Sequence, residues 1–164
     1  MKSLGFVDGD RIGVWGLSYG GFFTLQAITQ APKDFACAVD VAGVADYAMY
    51  YEDPWKGAWT YGRMRAPEDH PKEYAAASPL SHMDRLERPL LILHGTADVN
   101  VPYLHSIRLA DTLLKLKKDY EFVTYPGEFH YFTREHVLRD AWTRVDQFFA
   151  KWLKPERAAG TSTR

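Results

Sequence analysis

The sequence predicts an α/β fold, a mostly parallel sheet of about four strands flanked by helices. Two observations predict it. Short apolar runs alternate with helical patterns along the chain, as they must where helices carry the crossovers between parallel strands. Two of those runs, ACAVDVA and LLILH, are nearly continuous in apolar residues, which suits strands covered on both faces. A length of 164 residues fits one domain, and 46% hydrophobic against 25% charged residues leaves enough apolar material for a core.

The elements follow in order. Arg11 to Trp15 is the first expected strand, bounded by the turn residues of VDGD and by Gly16. A helical run from Gly20 to Gln30 stops before Pro32, which cannot continue a helix. Ala36 to Ala42 is the second strand. Asp46 to Met83 reads as an excursion of short helices and loops, with six tyrosines or tryptophans by Tyr61 that form either a satellite core or a binding wall. Leu90 to His94 and Tyr120 to Tyr125 are the third and fourth strands. Between them, Tyr103 to Lys118 carries Leu104, Ile107, Ala110, Leu113 and Leu114 at helical spacing, with Asp111, Lys115 and Lys118 facing outward. Val137 to Leu153 gathers Val137, Ala141, Val145, Phe148, Phe149 and Trp152 into one apolar stripe. The domain is expected to span residues 1–155, and the tail ERAAGTSTR, 156–164, has no apolar period and is expected to be mobile.

Charge and composition exclude several classes. A formal net charge of -1 with no basic block suggests no nucleic-acid partner. No uninterrupted apolar stretch is long enough to cross a bilayer, so no membrane partner is expected, and MKSLGFVDGD lacks the apolar core of a signal peptide. A cytoplasmic location is the expectation. The single Cys37 rules out an internal disulfide; in FACAVDVAG it reads as a small buried hydrophobe rather than a reactive thiol. No histidine pair has the spacing of a zinc site, and neither a metal nor a cofactor is expected.

The stretch VWGLSYGGFFTL carries the chemistry. Gly16-Leu17-Ser18-Tyr19-Gly20 fits G-x-S-x-G, a sharp strand-to-helix turn that lifts a serine Oγ above the sheet. The pattern alone is common and can be a mere glycine-rich turn. Here it follows RIGVW and precedes a helical run, the context it requires. The flanking glycines are expected to let strand and helix approach without a Cβ clash, and the helix amino terminus favours developing negative charge.

Such a serine needs a base and an orienting acid, in the order Ser, acid, His, each beyond the carboxyl end of a later strand. Asp98 follows LLILH, and His130 follows the last strand in YEFVTYPGEFHYF. Singly, Asp98 reads as a turn or cap residue and His130 as a surface loop histidine. Jointly, in that order and at those strand ends, they read with Ser18 as a triad. His94 reads as a packed or hydrogen-bonded structural residue, whereas His70, His82, His105 and His136 fall in loop or helix-surface contexts.

GLSYGGF, HGTADVNVP and YPGEFHYF together resemble the catalytic domain of the prolyl oligopeptidase family of serine peptidases, in the style of the branch that holds dipeptidyl peptidase IV and the acylaminoacyl peptidases. DRIGVWG and APEDHPKEYAAASPLSHMDRLERPLLILHG also match that style, and the resemblance runs from Leu4 to Leu153. It implies a partial α/β-hydrolase fold, with Ser18 as nucleophile, Asp98 as orienter and His130 as general base and then general acid. It also implies that the Tyr19 N–H is one oxyanion donor. Val44, Tyr47 and Tyr50 would line the hydrophobic pocket beside the scissile bond, sharing that wall with Trp55 or Trp59, while Asn100 and Val101 would face substrate.

In this family the sheet is larger and a β-propeller precedes it. The opening MKSLGFVDGD resembles the end of the helix before the elbow strand. The resemblance therefore implies that the first strands, the tyrosine giving the second oxyanion donor and the propeller lie outside this chain. Without its upstream neighbour, the elbow strand becomes an edge, and homo-oligomers through that edge are expected. Three readings stand at this point: a weakened serine peptidase, a carboxylesterase acting on small esters, and a non-catalytic self-associating fragment.

Overall fold

The computed structural model describes residues 4–154, so the tail 156–164 lies outside the described residues. Four strands, β1 (Gly13–Leu17), β2 (Cys37–Val41), β3 (Leu90–Gly95) and β4 (Tyr120–Tyr125), form one sheet in the order β1-β2-β3-β4. Every pairing is parallel. β1 begins two residues later than its apolar run suggests, because Arg11 is held in the preceding turn: its N–H donates to the Asp8 carbonyl (3.2 Å) and its guanidinium pairs with the Asp8 carboxylate (2.5 Å).

Helices cover both faces. α1 (Tyr19–Gln30) and α5 (Leu104–Lys115) bury Leu25, Ile28, Leu109 and Leu113 against Leu90 and Ile92. α6 (Glu135–Leu153) buries Val137, Ala141, Val145 and Phe148 against the other face, where Val39, Leu91 and Leu93 point. The alternation of Leu90 and Ile92 with Leu91 and Leu93 is the period of two that a strand imposes, and the continuous apolar run is the signature of cover on both sides. The stripe of α6 falls where its spacing predicts.

α5 does not keep its predicted stripe. Leu104, Ile107 and Leu114 are exposed, whereas His105 and Ser106 are buried beside Leu109, Ala110 and Leu113. Polar bonds turn the helix: the Ser106 hydroxyl meets His94 Nδ1 at 2.7 Å, and His105 Nδ1 accepts the N–H groups of Ala45 (3.3 Å) and Asp46 (3.4 Å). The helix is also shorter than expected, with Lys117 turning the chain at φ 54°.

The aromatic excursion consists of α2 (Tyr47–Tyr51), α3 (Pro54–Met64), α4 (Pro71–Ala77) and a 3-10 turn (Pro79–Arg85). Asp46 caps α2, its Oδ1 accepting the N–H of Ala48 at 2.9 Å. Among the described residues, no helix is long and apolar enough to cross a membrane. Because all four strands run the same way, the loops leaving β1, β2, β3 and β4 gather along one edge of the sheet.

Candidate active site

Ser18 stands between β1 and α1 with φ 61° and ψ -120°, a left-handed backbone that a side chain rarely adopts. Two backbone bonds hold the turn: the Ser18 N–H donates to the Val41 carbonyl (2.9 Å), and the Ser18 carbonyl accepts from the Phe22 N–H (3.0 Å). Gly16 permits it. A Cβ there would lie 2.2 Å from the carbonyl carbon and oxygen of Gly20, whereas a Cβ on Gly20 would meet nothing within 4 Å. The two flanking glycines are therefore not equivalent, contrary to the symmetric expectation. Only Gly16 is forced by contact.

Beyond β3, Asp98 is buried and accepts four hydrogen bonds. Its Oδ1 takes the N–H groups of Asn100 (2.8 Å) and Val101 (2.9 Å), which winds the loop tightly about the carboxylate. Its Oδ2 faces His130 Nδ1 (2.7 Å) and His94 Nε2 (3.0 Å). Burial pushes the Asp98 carboxyl up, but the bonds from His130, His94 and the Val101 N–H outweigh it and hold the group well below the usual carboxylate range. An ionised acceptor fixes the tautomers. His130 carries its proton on Nδ1, leaving Nε2 free to act as a base. His94 Nε2 faces a second acceptor, the Val101 carbonyl at 3.0 Å, so it too is protonated, and Nδ1 accepts from Ser106.

The loop that carries His130 is itself pinned. Glu128 is buried; its Oε2 accepts the Thr133 N–H (2.8 Å), its Oε1 accepts from Arg134 Nε, and its carbonyl accepts the Ala97 N–H (2.9 Å). The last bond ties the histidine loop to the acid loop. Sequence reasoning passed over Glu128 and did not place His105 at this edge, whereas His94 is the packed, hydrogen-bonded residue it was expected to be. The one available signal was the carboxylate and guanidinium of EFHYFTR flanking His130. His105, expected on a surface, is fully buried, and burial holds its imidazole down to about 3. Among the described residues, no hydrogen bond joins Ser18 Oγ to His130, although His130 and Leu17, the residue before Ser18, line one apolar cavity of about 170 Å³. Hydrogen bonds at such sites often close only when substrate is bound.

A second cavity of about 630 Å³ opens beside Tyr19, walled by Tyr47, Tyr50, Lys56, Trp59 and Arg63. The hydroxyls of Tyr19 and Tyr47 are hydrogen bonded to each other, and burial pushes the Tyr47 hydroxyl up. Thus Tyr19, Tyr47 and Tyr50 share one wall, with Trp59 beside them; the side chain of Trp55 lies outside the described residues. Val44 and Val101, expected to line the pocket and face substrate, are 1% and 2% exposed and pack behind the wall with Phe22, Tyr47 and Tyr74. Asn100 is exposed, and its N–H is committed to Asp98. No cluster among the described residues could hold a metal ion.

A model of the prolyl oligopeptidase family matches residues 1–156. Dipeptidyl peptidase 4 of Bos taurus is 29% identical over 152 residues, covering 90% of this chain and 19% of that protein. A relative from Rattus norvegicus, named inactive dipeptidyl peptidase 10, is 30% identical over 92% of this chain and 18% of its own length. The solved structure of a puromycin-hydrolyzing peptidase of Mycobacterium tuberculosis superposes with a TM-score of 0.85 at 30% identity, covering 93% of this chain and 24% of that one. The chain thus spans roughly a fifth of the curated relatives' length.

Proposed function

The chain belongs to the prolyl oligopeptidase family, and on that premise we propose that it is a serine hydrolase whose acyl transfer runs through Ser18, Asp98 and His130. The observation that carries this reading is the 2.7 Å bond between His130 Nδ1 and the buried Asp98 carboxylate. In the proposed reaction His130 Nε2 takes the Ser18 proton as Oγ attacks a carbonyl carbon. The resulting oxyanion is held by the Tyr19 N–H, which opens α1 and has no acceptor within the helix. The imidazolium then gives its proton to the leaving group, and water repeats the sequence on the acyl-enzyme. Asp98 keeps the imidazole in the required tautomer and offsets its charge. Tyr19, Tyr47 and Tyr50 form the wall for the residue beside the scissile bond, and the relatives' names favour peptides as substrates.

Ester and amide substrates test it. Tyr19 supplies one oxyanion donor, and the loss of one such donor costs about a hundred- to a thousandfold in turnover. A good leaving group asks less of the hole. We expect p-nitrophenyl acetate to be hydrolysed at a rate that Ser18→Ala abolishes, and a dipeptidyl p-nitroanilide to be cleaved far more slowly. Equal efficiency on both would contradict the expected dependence on the leaving group, and an undiminished rate in Ser18→Ala would contradict the hydrolase reading. The relative named inactive favours a second reading, a fold that carries these residues without turnover; the same comparison decides it.

Self-association through β1 is part of the proposal. β1 is an edge of the described sheet, and beside it Trp15 and Trp142 are 51% and 50% exposed in edge-to-face contact. Together with Leu138 and Tyr131 they border the 170 Å³ cavity. An unpaired strand beside an apolar rim invites a second copy. Light scattering at micromolar concentration is expected to report a dimer or larger species that Trp142→Lys disperses. A monodisperse parent monomer would contradict it.

A further inference from the structure

Asp40 is the one carboxylate in the middle of the sheet. It pairs across the strands with Gly16, the glycine of the Ser18 turn, and is 0% exposed. Neither of its oxygens completes a hydrogen bond of full geometry; the Gly43 N–H is close enough to favour the charged form in part, and burial outweighs it. The carboxyl is wedged between two glycines. A Cβ on Gly21 would lie 2.3 Å from Oδ1, and a Cβ on Gly43 would lie 2.1 Å from it. Gly21 belongs to the first turn of α1, the turn whose free N–H groups face a developing oxyanion.

An unpartnered buried carboxyl keeps its proton where it can, and burial pushes Asp40 up to about 7. The titratable groups on the packed elements around it are Tyr19 on α1, His94 on β3, His105 on α5 and Asp46 in the β2–α2 loop, none of them hydrogen bonded to it.

Resting on the reading of Ser18 as nucleophile, we propose that Asp40 is a positioning residue for the Ser18 turn. As a neutral acid it packs the first turn of α1 against the β2–α2 loop. As a carboxylate it sets negative charge against the helix terminus that the oxyanion uses, and acyl transfer slows. Asp40 touches no substrate and acts through α1.

Amide NMR of the whole chain, titrated from about pH 5 to about pH 9, reads this without requiring turnover. The resonances of Tyr19, Gly20, Gly21 and Gly43 are expected to move together with a midpoint near 7. The Ser18-dependent hydrolysis of p-nitrophenyl acetate by the parent, divided at each pH by that of Asp40→Asn so that the pH dependence common to both cancels, is expected to fall about two- to fivefold over the same interval, the change that a charge at a helix terminus commonly carries. Asp40→Asn keeps the shape without the charge, serves as that reference and should lose the shared midpoint; Asp40→Ala serves in its place if the amide destabilises the chain. Stability gives a matching sign. With the folded group raised from 3.8 to about 7, its contribution is fully present below about 4 and is lost as pH rises through 7, so the melting temperature should fall over that range in the parent and flatten in Asp40→Asn. A purely structural Asp40 would shift melting in the variants yet leave the rate ratio flat across pH, and that result overturns the proposal. So does a parent with no shared amide midpoint. A shared midpoint with no Ser18-dependent hydrolysis counts against the nucleophile reading and still supports the hold of Asp40 on the turn.

Discussion

Asp98→Asn is expected to slow acylation of Ser18 by about ten-thousandfold, the loss that follows when a triad histidine is held in the wrong tautomer. The four hydrogen bonds at Asp98 say why. An Asn in its place can still offer one oxygen to the N–H groups of Asn100 and Val101, which keeps the loop wound. Its NH₂ then faces His130, where the carboxylate accepts a proton-bearing Nδ1. His130 answers by taking its proton on Nε2, and the base is lost. His94 can turn its Nε2–H wholly to the Val101 carbonyl, so the fold survives. The chain should therefore stay folded, with a lower melting temperature because the bonds that the carboxylate accepts from His130 and His94 are lost, while the acylation rate collapses. A loss below tenfold would mean that His130 does not depend on Asp98 for its tautomer. Because Asp98 is held far below the ordinary carboxylate range, its contribution to stability stands across neutral pH and is lost only as pH falls through that depressed value.

Gly16→Ala is expected to be among the most disruptive small substitutions at the described residues. The added methyl would lie 2.2 Å from backbone atoms of Gly20, and no side-chain rotation can relieve that contact. Either α1 lifts from β1 or the Ser18 turn opens. The expected cost is about 3 kcal/mol or more, at the upper end of what overpacking brings. Gly20→Ala is the matched control. Its Cβ enters open space and its φ is not positive, so it should stabilise α1 by about 0.5–1 kcal/mol. Urea unfolding of the two variants separates them. Equal destabilisation would mean that the close approach of strand and helix is not what the turn requires.

That contrast also marks how far the sequence could be read. G-x-S-x-G treats its two glycines alike, and the asymmetry appears only once α1 is seated on β1. The alternation of strands and helices was legible because cover on both faces forces continuous apolar runs, as in LLILH. Asp98 and His130 were legible because each follows the carboxyl end of a strand, and the fold brings them within 2.7 Å. The face of α5 was not, because two polar residues, His105 and Ser106, take the inward positions through bonds to a distant loop and to His94. Hydrophobic periodicity carries no sign of such bonds. Val44 was read as a wall residue and Val101 as facing substrate, both from a resemblance, whereas both are buried against Phe22, Tyr47 and Tyr74, one layer behind the wall. Along the chain Asp40 is simply one polar residue in the apolar run ACAVDVA. Its isolation depends on what Gly21 and Gly43 leave beside it, which no pattern along the chain reports.

The central claim is that Ser18, Asp98 and His130 form a working constellation in this chain. Labelling with a fluorophosphonate, followed by mapping of the modified peptide, tests it most directly beside Ser18→Ala and His130→Ala. The account predicts a single adduct on Ser18 in the parent, none in Ser18→Ala and a rate close to background in His130→Ala. An unlabelled parent, or labelling that persists in His130→Ala, would contradict it.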